Sequence, residues 1–187
     1  MKTKPDANEL IMENYLVITA IGKDRPGIID ELTRAILDSG CNIEDSRMTI
    51  LGGEFAILLL VSGKWNELAK FEDSTSVLQK KLHLTITATR TKEEKSKQNV
   101  IAYSVEVLSI DQPGIVHELA NFFSTREINI RELNTNRYAA AHTGTPMFSL
   151  TMTVNIPADI RIANLRDDFL EYCDSLNMDA VLEPIKL

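Results

Sequence analysis

The stretch GKDRPGIIDELTRAILDSGCNIEDSRM, Gly22 to Met48, returns in altered form as LSIDQPGIVHELANFFSTREINIRELN, Leu108 to Asn134. Aligned without a gap, residues 24–43 and 111–130 (111 − 24 = 87) share 8 of 20 positions: Asp24/Asp111, Pro26/Pro113, Gly27/Gly114, Ile28/Ile115, Glu31/Glu118, Leu32/Leu119, Asn42/Asn129 and Ile43/Ile130. Unrelated segments of that length would share about one, and an internal repeat outranks other sequence signals. The chain reads as two copies of one domain.

Each copy can be followed outward from this stretch. YLVITAI (Tyr15 to Ile21) and VIAYSVEVLSI (Val100 to Ile110) precede it, the second alternating apolar and polar residues with the period of a strand. Behind the Pro-Gly, Ile28, Leu32, Ala35 and Ile36 recur at helical spacing, as do Ile115, Leu119, Phe122 and Phe123. The proline is expected in the first helical turn, where its missing N–H breaks no bond, and Ser39-Gly40 is expected to stop the first helix.

Two strands follow in each copy: RMTIL and FAILLLV around the tight turn Gly52-Gly53, then NTNRY and FSLTMTV around AAAHTGTPM (139–147). The second connection is longer, since Phe148 − Phe55 is 93 and not 87, and its Gly-Thr-Pro suggests an ordered loop. Helix-like segments Trp65 to Leu82 and Ile162 to Leu176, with the Trp65 indole expected to pack at its helix start, lead into the strands LTITATR and MDAVLEP. The order strand-helix-strand-strand-helix-strand is a split βαβ. The predicted fold class is therefore α+β: two tandem ferredoxin-like βαββαβ domains, each an antiparallel four-stranded sheet with two helices on one face.

The predicted boundaries are a tail over 1–12, domain 1 over 13–91, a linker over 92–98 and domain 2 over 99–187, the linker lying in the charged TKEEKSKQN. The strands opening on Phe55 and Phe148 differ. Phe148, Leu150, Met152 and Val154 alternate with polar residues, whereas Phe55 to Val61 is apolar throughout. That predicts cover on both faces of the first sheet, by the second domain or by another subunit.

Composition narrows the function classes. With 44% apolar and 25% charged residues the chain is expected to bury a real core. No apolar run approaches the ~18–20 residues of a membrane helix, and the polar start MKTKPDANELIMEN does not resemble a signal peptide, so a cytoplasmic protein is expected. Cys41 and Cys173 lack CxxC spacing and read as free thiols; His83, His117 and His142 form no metal-ligand pattern. No metal, cofactor or catalytic residue is assigned. A net charge of −7 and the lack of a basic helix disfavour direct nucleic-acid binding.

The D-x-P-G-I…N-I signature, carried twice over almost all of residues 13–187, resembles the ACT domain, a βαββαβ amino-acid-sensing module. Two such domains with no enzyme attached, together with HTGTPMF (His142 to Phe148), resemble the family of glycine cleavage repressors. The resemblance implies a small-amino-acid site, glycine favoured, at Asp24, Pro26, Gly27, Ile28, Asn42 and Ile43, and again at Asp111, Pro113, Gly114, Ile115, Asn129 and Ile130. It also implies a protein partner, a LysR-type transcriptional activator of the glycine cleavage operon, restrained when glycine is scarce and released when glycine binds. A homodimer is compatible with it.

The residues have a physical reading of their own. Gly27 and Gly114 stand where unsatisfied N–H groups and the positive helix end attract a carboxylate. Asp24 and Asp111 can cap the helix or hold an ammonium group, and Asn42 and Asn129 offer donor and acceptor or serve only as turn residues before a strand. Arg25 becomes Gln112 and Ser39-Gly40-Cys41 becomes Arg126-Glu127-Ile128, so the two sites need not bind alike. A second reading stays open, a free-standing regulatory or assembly subunit of an amino-acid metabolic enzyme; a small enzyme would need convergent titratable groups that the sequence does not supply.

Overall fold

The structure, a computed structural model, describes residues 14–92 and 99–185. The expected tail 1–12 and nearly all of the expected linker lie outside those residues. The chain divides into two compact units, Met1–Lys95 and Ser96–Leu187.

In the first unit the elements run β1 (Asn14–Lys23), α1 (Ile28–Asp38), β2 (Asn42–Leu51), β3 (Glu54–Gly63), α2 (Trp65–Leu82) and β4 (Leu84–Thr91). In the second they run β5 (Val100–Ile110), α3 (Ile115–Ser124), β6 (Asn129–Ala139), β7 (Pro146–Pro157), α4 (Ile162–Ser175) and β8 (Asp179–Pro184). The sheets are ordered β2-β3-β1-β4 and β6-β7-β5-β8, antiparallel throughout. Each is the predicted split βαβ.

One face of each sheet makes the core. Leu16, Ile18 and Ala20 of β1, with Phe55, Ile57, Leu59 and Val61 of β3, meet Ile28, Leu32 and Ile36 of α1 and Leu68 and Phe71 of α2. The second core is more aromatic: Phe122, Phe123 and Phe169 lie with ring centroids 5.2–5.3 Å apart. Cys41 and Cys173 are free and buried in these cores, and burial pushes the Cys173 thiol up to about 12.

Two expectations are corrected. β2 and β6 start at Asn42 and Asn129, five residues ahead of Arg47 and Asn134, because NIEDS and NIREL pair with their neighbours while remaining exposed and so carry little apolar period. Trp65 opens α2 as expected, but its indole is 68% exposed and is met by the Arg90 guanidinium, 5.7 Å from the ring centroid. On the outer face of the first sheet Leu58 is 46% exposed and Ala56 and Leu60 are half-buried. Within this unit both helices cover the same face, which leaves the other without a layer.

The hairpin turns are as their lengths require. Gly52 and Gly53 both take positive φ, 60° and 81°, which closes β2 onto β3 in two residues. Between β6 and β7 the loop is ordered: the Ala140 N–H donates to the Thr145 carbonyl and the Gly144 N–H to the Ala140 carbonyl, both at 2.9 Å.

Candidate ligand site

The Asp-x-Pro-Gly segment makes the same turn twice. Gly27 has φ 89° and Gly114 φ 99°, left-handed values that an L side chain adopts only under strain. A helix cannot pass through such a residue, so each glycine is the N-cap and Pro26 and Pro113 lie outside the helix, not in its first turn as expected. The Gly27 carbonyl accepts the first helical bond from the Glu31 N–H and the Gly114 carbonyl that from the Glu118 N–H, both at 3.0 Å. Neither aspartate caps: among the described residues no side chain satisfies either helix start. The first N–H groups of α1 and α3 therefore face outward with the positive helix end behind them.

Backbone bonds tie each aspartate to the hairpin on the neighbouring strand. The Asp24 N–H donates to the Gly53 carbonyl (3.2 Å) and the Asp111 N–H to the Pro146 carbonyl (2.9 Å). The base of the long 140–145 loop thus adjoins the second copy's turn.

Side chains then separate the copies. Asp24 is exposed, and the cations beside it in sequence are drawn elsewhere, Lys23 to Glu54 (3.5 Å) and Arg25 to Glu31 (2.8 Å). Among the described residues no cation forms an ion pair with Asp24. Asp111 is paired: the Arg137 Nε lies 2.6 Å from its Oδ2, and the Asp111 side chain is only 23% exposed. Glu31 and Glu118, also equivalent, differ as well. The Arg25 hydrogen bond holds the Glu31 carboxyl below its ordinary pKa, with Lys81 adding to it from 3.6 Å. Glu118 instead accepts from the Tyr172 hydroxyl (2.7 Å), which, with burial, pushes that phenol up to about 12.

The Asn-Ile end of the signature lies elsewhere. α1 is 11 residues long, so Gly27 and Asn42 are on the order of 16 Å apart. Asn42 sits opposite Ser62, beside a bulge between Ile43 and Asp45. There Glu44 accepts from Ser62 Oγ (2.5 Å) and Asn42 Nδ2 (2.9 Å), bonds that lower its pKa in that order. In the second copy the matching residues are Asn129, Arg131 and Asn155, with the same bulge, so the charge at this point is reversed. Ile28 and Ile115 are core residues, and Ile43 and Ile130 pack against the core. Within one copy a small ligand can touch Asp24 and the Gly27 turn or Asn42, not both.

Arg137 and Ile50 were not singled out by the sequence, and Glu31 stood there only as an identity of the repeat. Ile50 and Arg137 are equivalent (137 − 50 = 87, the offset of the repeat) and lie within the predicted strands RMTIL and NTNRY, but only the fold shows that Arg137 reaches the aspartate of its turn. Two open clefts, about 570 Å³ between α3 and α4 and about 470 Å³ between α4 and β8, contain no residue of the signature.

Comparison with known proteins agrees with this architecture. The ACT domain description matches residues 14–89, and the second unit repeats that topology, which defines the class as a tandem ACT-domain protein. The glycine cleavage system transcriptional repressor of Escherichia coli K12 is 34% identical over 168 residues, 90% of this chain and 88% of the relative. A crystal structure of a candidate glycine cleavage system transcriptional repressor superposes with a TM-score of 0.70 at 28% identity, covering 95% of this chain and all of that one (100%). An unknown protein from Galdieria sulphuraria superposes with a TM-score of 0.80 at 25% identity, over 93% of this chain and 99% of its own. The chain belongs to the glycine cleavage system transcriptional repressor family, a regulatory family and not an enzymatic one. Among the described residues no helix is long and apolar enough to cross a membrane.

Proposed function

We propose that this chain represses transcription of a glycine cleavage system in response to glycine, acting in the cytoplasm through contact with a LysR-type activator protein and not on DNA. The observation that carries the reading is the match to the Escherichia coli repressor along 90% of the chain. The strand-to-helix turns at Asp24–Gly27 and Asp111–Gly114 support an amino-acid site. Outward N–H groups and a positive helix end suit the ligand's carboxylate, and an aspartate suits its ammonium group. The net charge of −7 accords with a protein partner. The half-open apolar face around Leu58 favours a homodimer, and also the second reading, an assembly subunit of a metabolic enzyme.

Thermal unfolding against each of the twenty amino acids tests this. Glycine at 100 times its dissociation constant stabilises a single-site protein by about 2.7 kcal/mol. A shift with glycine, and loss on glycine addition of the chain's co-purification with the activator, are the expected results. No shift with any amino acid, combined with co-purification of an enzyme, turns the assignment to the assembly subunit.

A further inference from the structure

We infer that the two ACT copies are unequal, that only the first takes the amino acid, and that Arg137 of the second copy permanently occupies the place of the ligand's ammonium group. This rests on the glycine-binding reading above and adds to it which copy responds and why.

The backbone at the two turns is the same: left-handed glycine, uncapped helix start, aspartate tied to the adjacent hairpin. What differs is the residue on the neighbouring edge strand. Arg137 of β6 shares a face with Phe148 across the β6–β7 ladder and turns its guanidinium onto Asp111, at 2.6 Å. At the equivalent place on β2 stands Ile50, opposite Phe55, 49% exposed and without charge.

An α-amino acid brings one cation and one anion. At Asp24 the carboxylate is free to receive the cation while the N–H groups of α1 receive the anion. At Asp111 the cation is already supplied by the chain. A ligand's ammonium group must first displace the Arg137 guanidinium, an exposed ion pair worth up to about 1 kcal/mol. The incoming ammonium would also meet a like charge. Together these predict affinity at the second copy lower by about tenfold.

Reciprocal exchange tests the inference, with glycine binding to the full chain measured by isothermal titration calorimetry. The wild-type chain is expected to bind one glycine, lost in Asp24→Asn and retained in Asp111→Asn. Ile50→Arg should weaken binding about tenfold, and Arg137→Ile should add a second glycine per chain. Both exchanged positions are exposed, and thermal unfolding of each variant checks its fold; Asp24→Asn gives the same answer should Ile50→Arg fold poorly. Two equivalent sites in the wild type, loss of binding in Arg137→Ile, or a site that depends on Asp111 and not Asp24 would overturn the inference while leaving the glycine reading intact. No glycine binding by the wild type would overturn that reading and the inference with it.

Discussion

The turn before α1 and the turn before α3 have one backbone and two electrostatic environments. Left-handed glycine, outward N–H groups and the bond from the aspartate N–H to the hairpin are common to both. The charges are not: Asp24 is exposed and its neighbours pair elsewhere, whereas Asp111 is held by Arg137 and Glu118 by Tyr172. The difference teaches that the repeat keeps what the backbone requires and varies what a ligand would feel. Its identities are accordingly divided between turn formers, core residues and candidate contacts.

The comparison can be broken or sharpened at several scales. The largest effects should come from the cores. Phe71→Ala and Phe123→Ala each remove a fully buried ring and are expected to cost about 3–5 kcal/mol. Amide hydrogen exchange should rise first in the unit that carries the change, and equal loss of protection in both would contradict two separate cores.

The shared turn comes next. Gly27→Val and Gly114→Val place a side chain at φ 89° and 99° and should each cost about 1–2 kcal/mol, read as denaturant midpoints. A large inequality would show that the turns are not equivalent. These variants report on the fold, which is why aspartate and edge-strand exchanges are the better probes of ligand.

A smaller effect separates the helix ends. Gly40 closes α1 at φ 88°, with the Cys41 N–H bonded to the Ile36 carbonyl at 3.2 Å. Glu127 does the same work in the second copy at φ 56°, where a glycine is less strained. Glu127→Gly should therefore stabilise by about 0.5–1 kcal/mol in chemical denaturation, and no gain would show that Glu127 is held by something other than its backbone.

The mildest test is pH. Because the folded Glu31 carboxyl lies below its ordinary pKa, its contribution is present above the unfolded value and is lost as pH falls through the folded one. Tyr172 works in the opposite sense. Its phenol is raised from 10.0 to about 12, so the unfolded chain releases the proton first and stability declines as pH rises through that window. Arg25→Ala should flatten the acid limb and Tyr172→Phe the alkaline limb of denaturation curves; unchanged limbs would remove both contacts from the account.

Much of the fold was legible because it rests on periodicity and on glycine. The helix over Trp65–Leu82 and the Gly52-Gly53 hairpin are visible in the residues themselves. The early starts of β2 and β6 were not, since an exposed edge strand pairs through its backbone and leaves no apolar pattern. The site was half legible. Asp-x-Pro-Gly announced a turn, but whether an aspartate caps, pairs or stays free depends on which residue the neighbouring strand brings to it. The separation of Gly27 from Asn42 is likewise a property of the helix between them, not of spacing along the chain.

The most direct test of the central claim is a two-dimensional amide NMR titration of the full chain with glycine. The account predicts shifts concentrated at Ile28, Ile29 and Asp30, the first N–H groups of α1, with Ile115, Val116 and His117 unmoved. Equal shifts at both helix starts, or shifts at α3 alone, would contradict it.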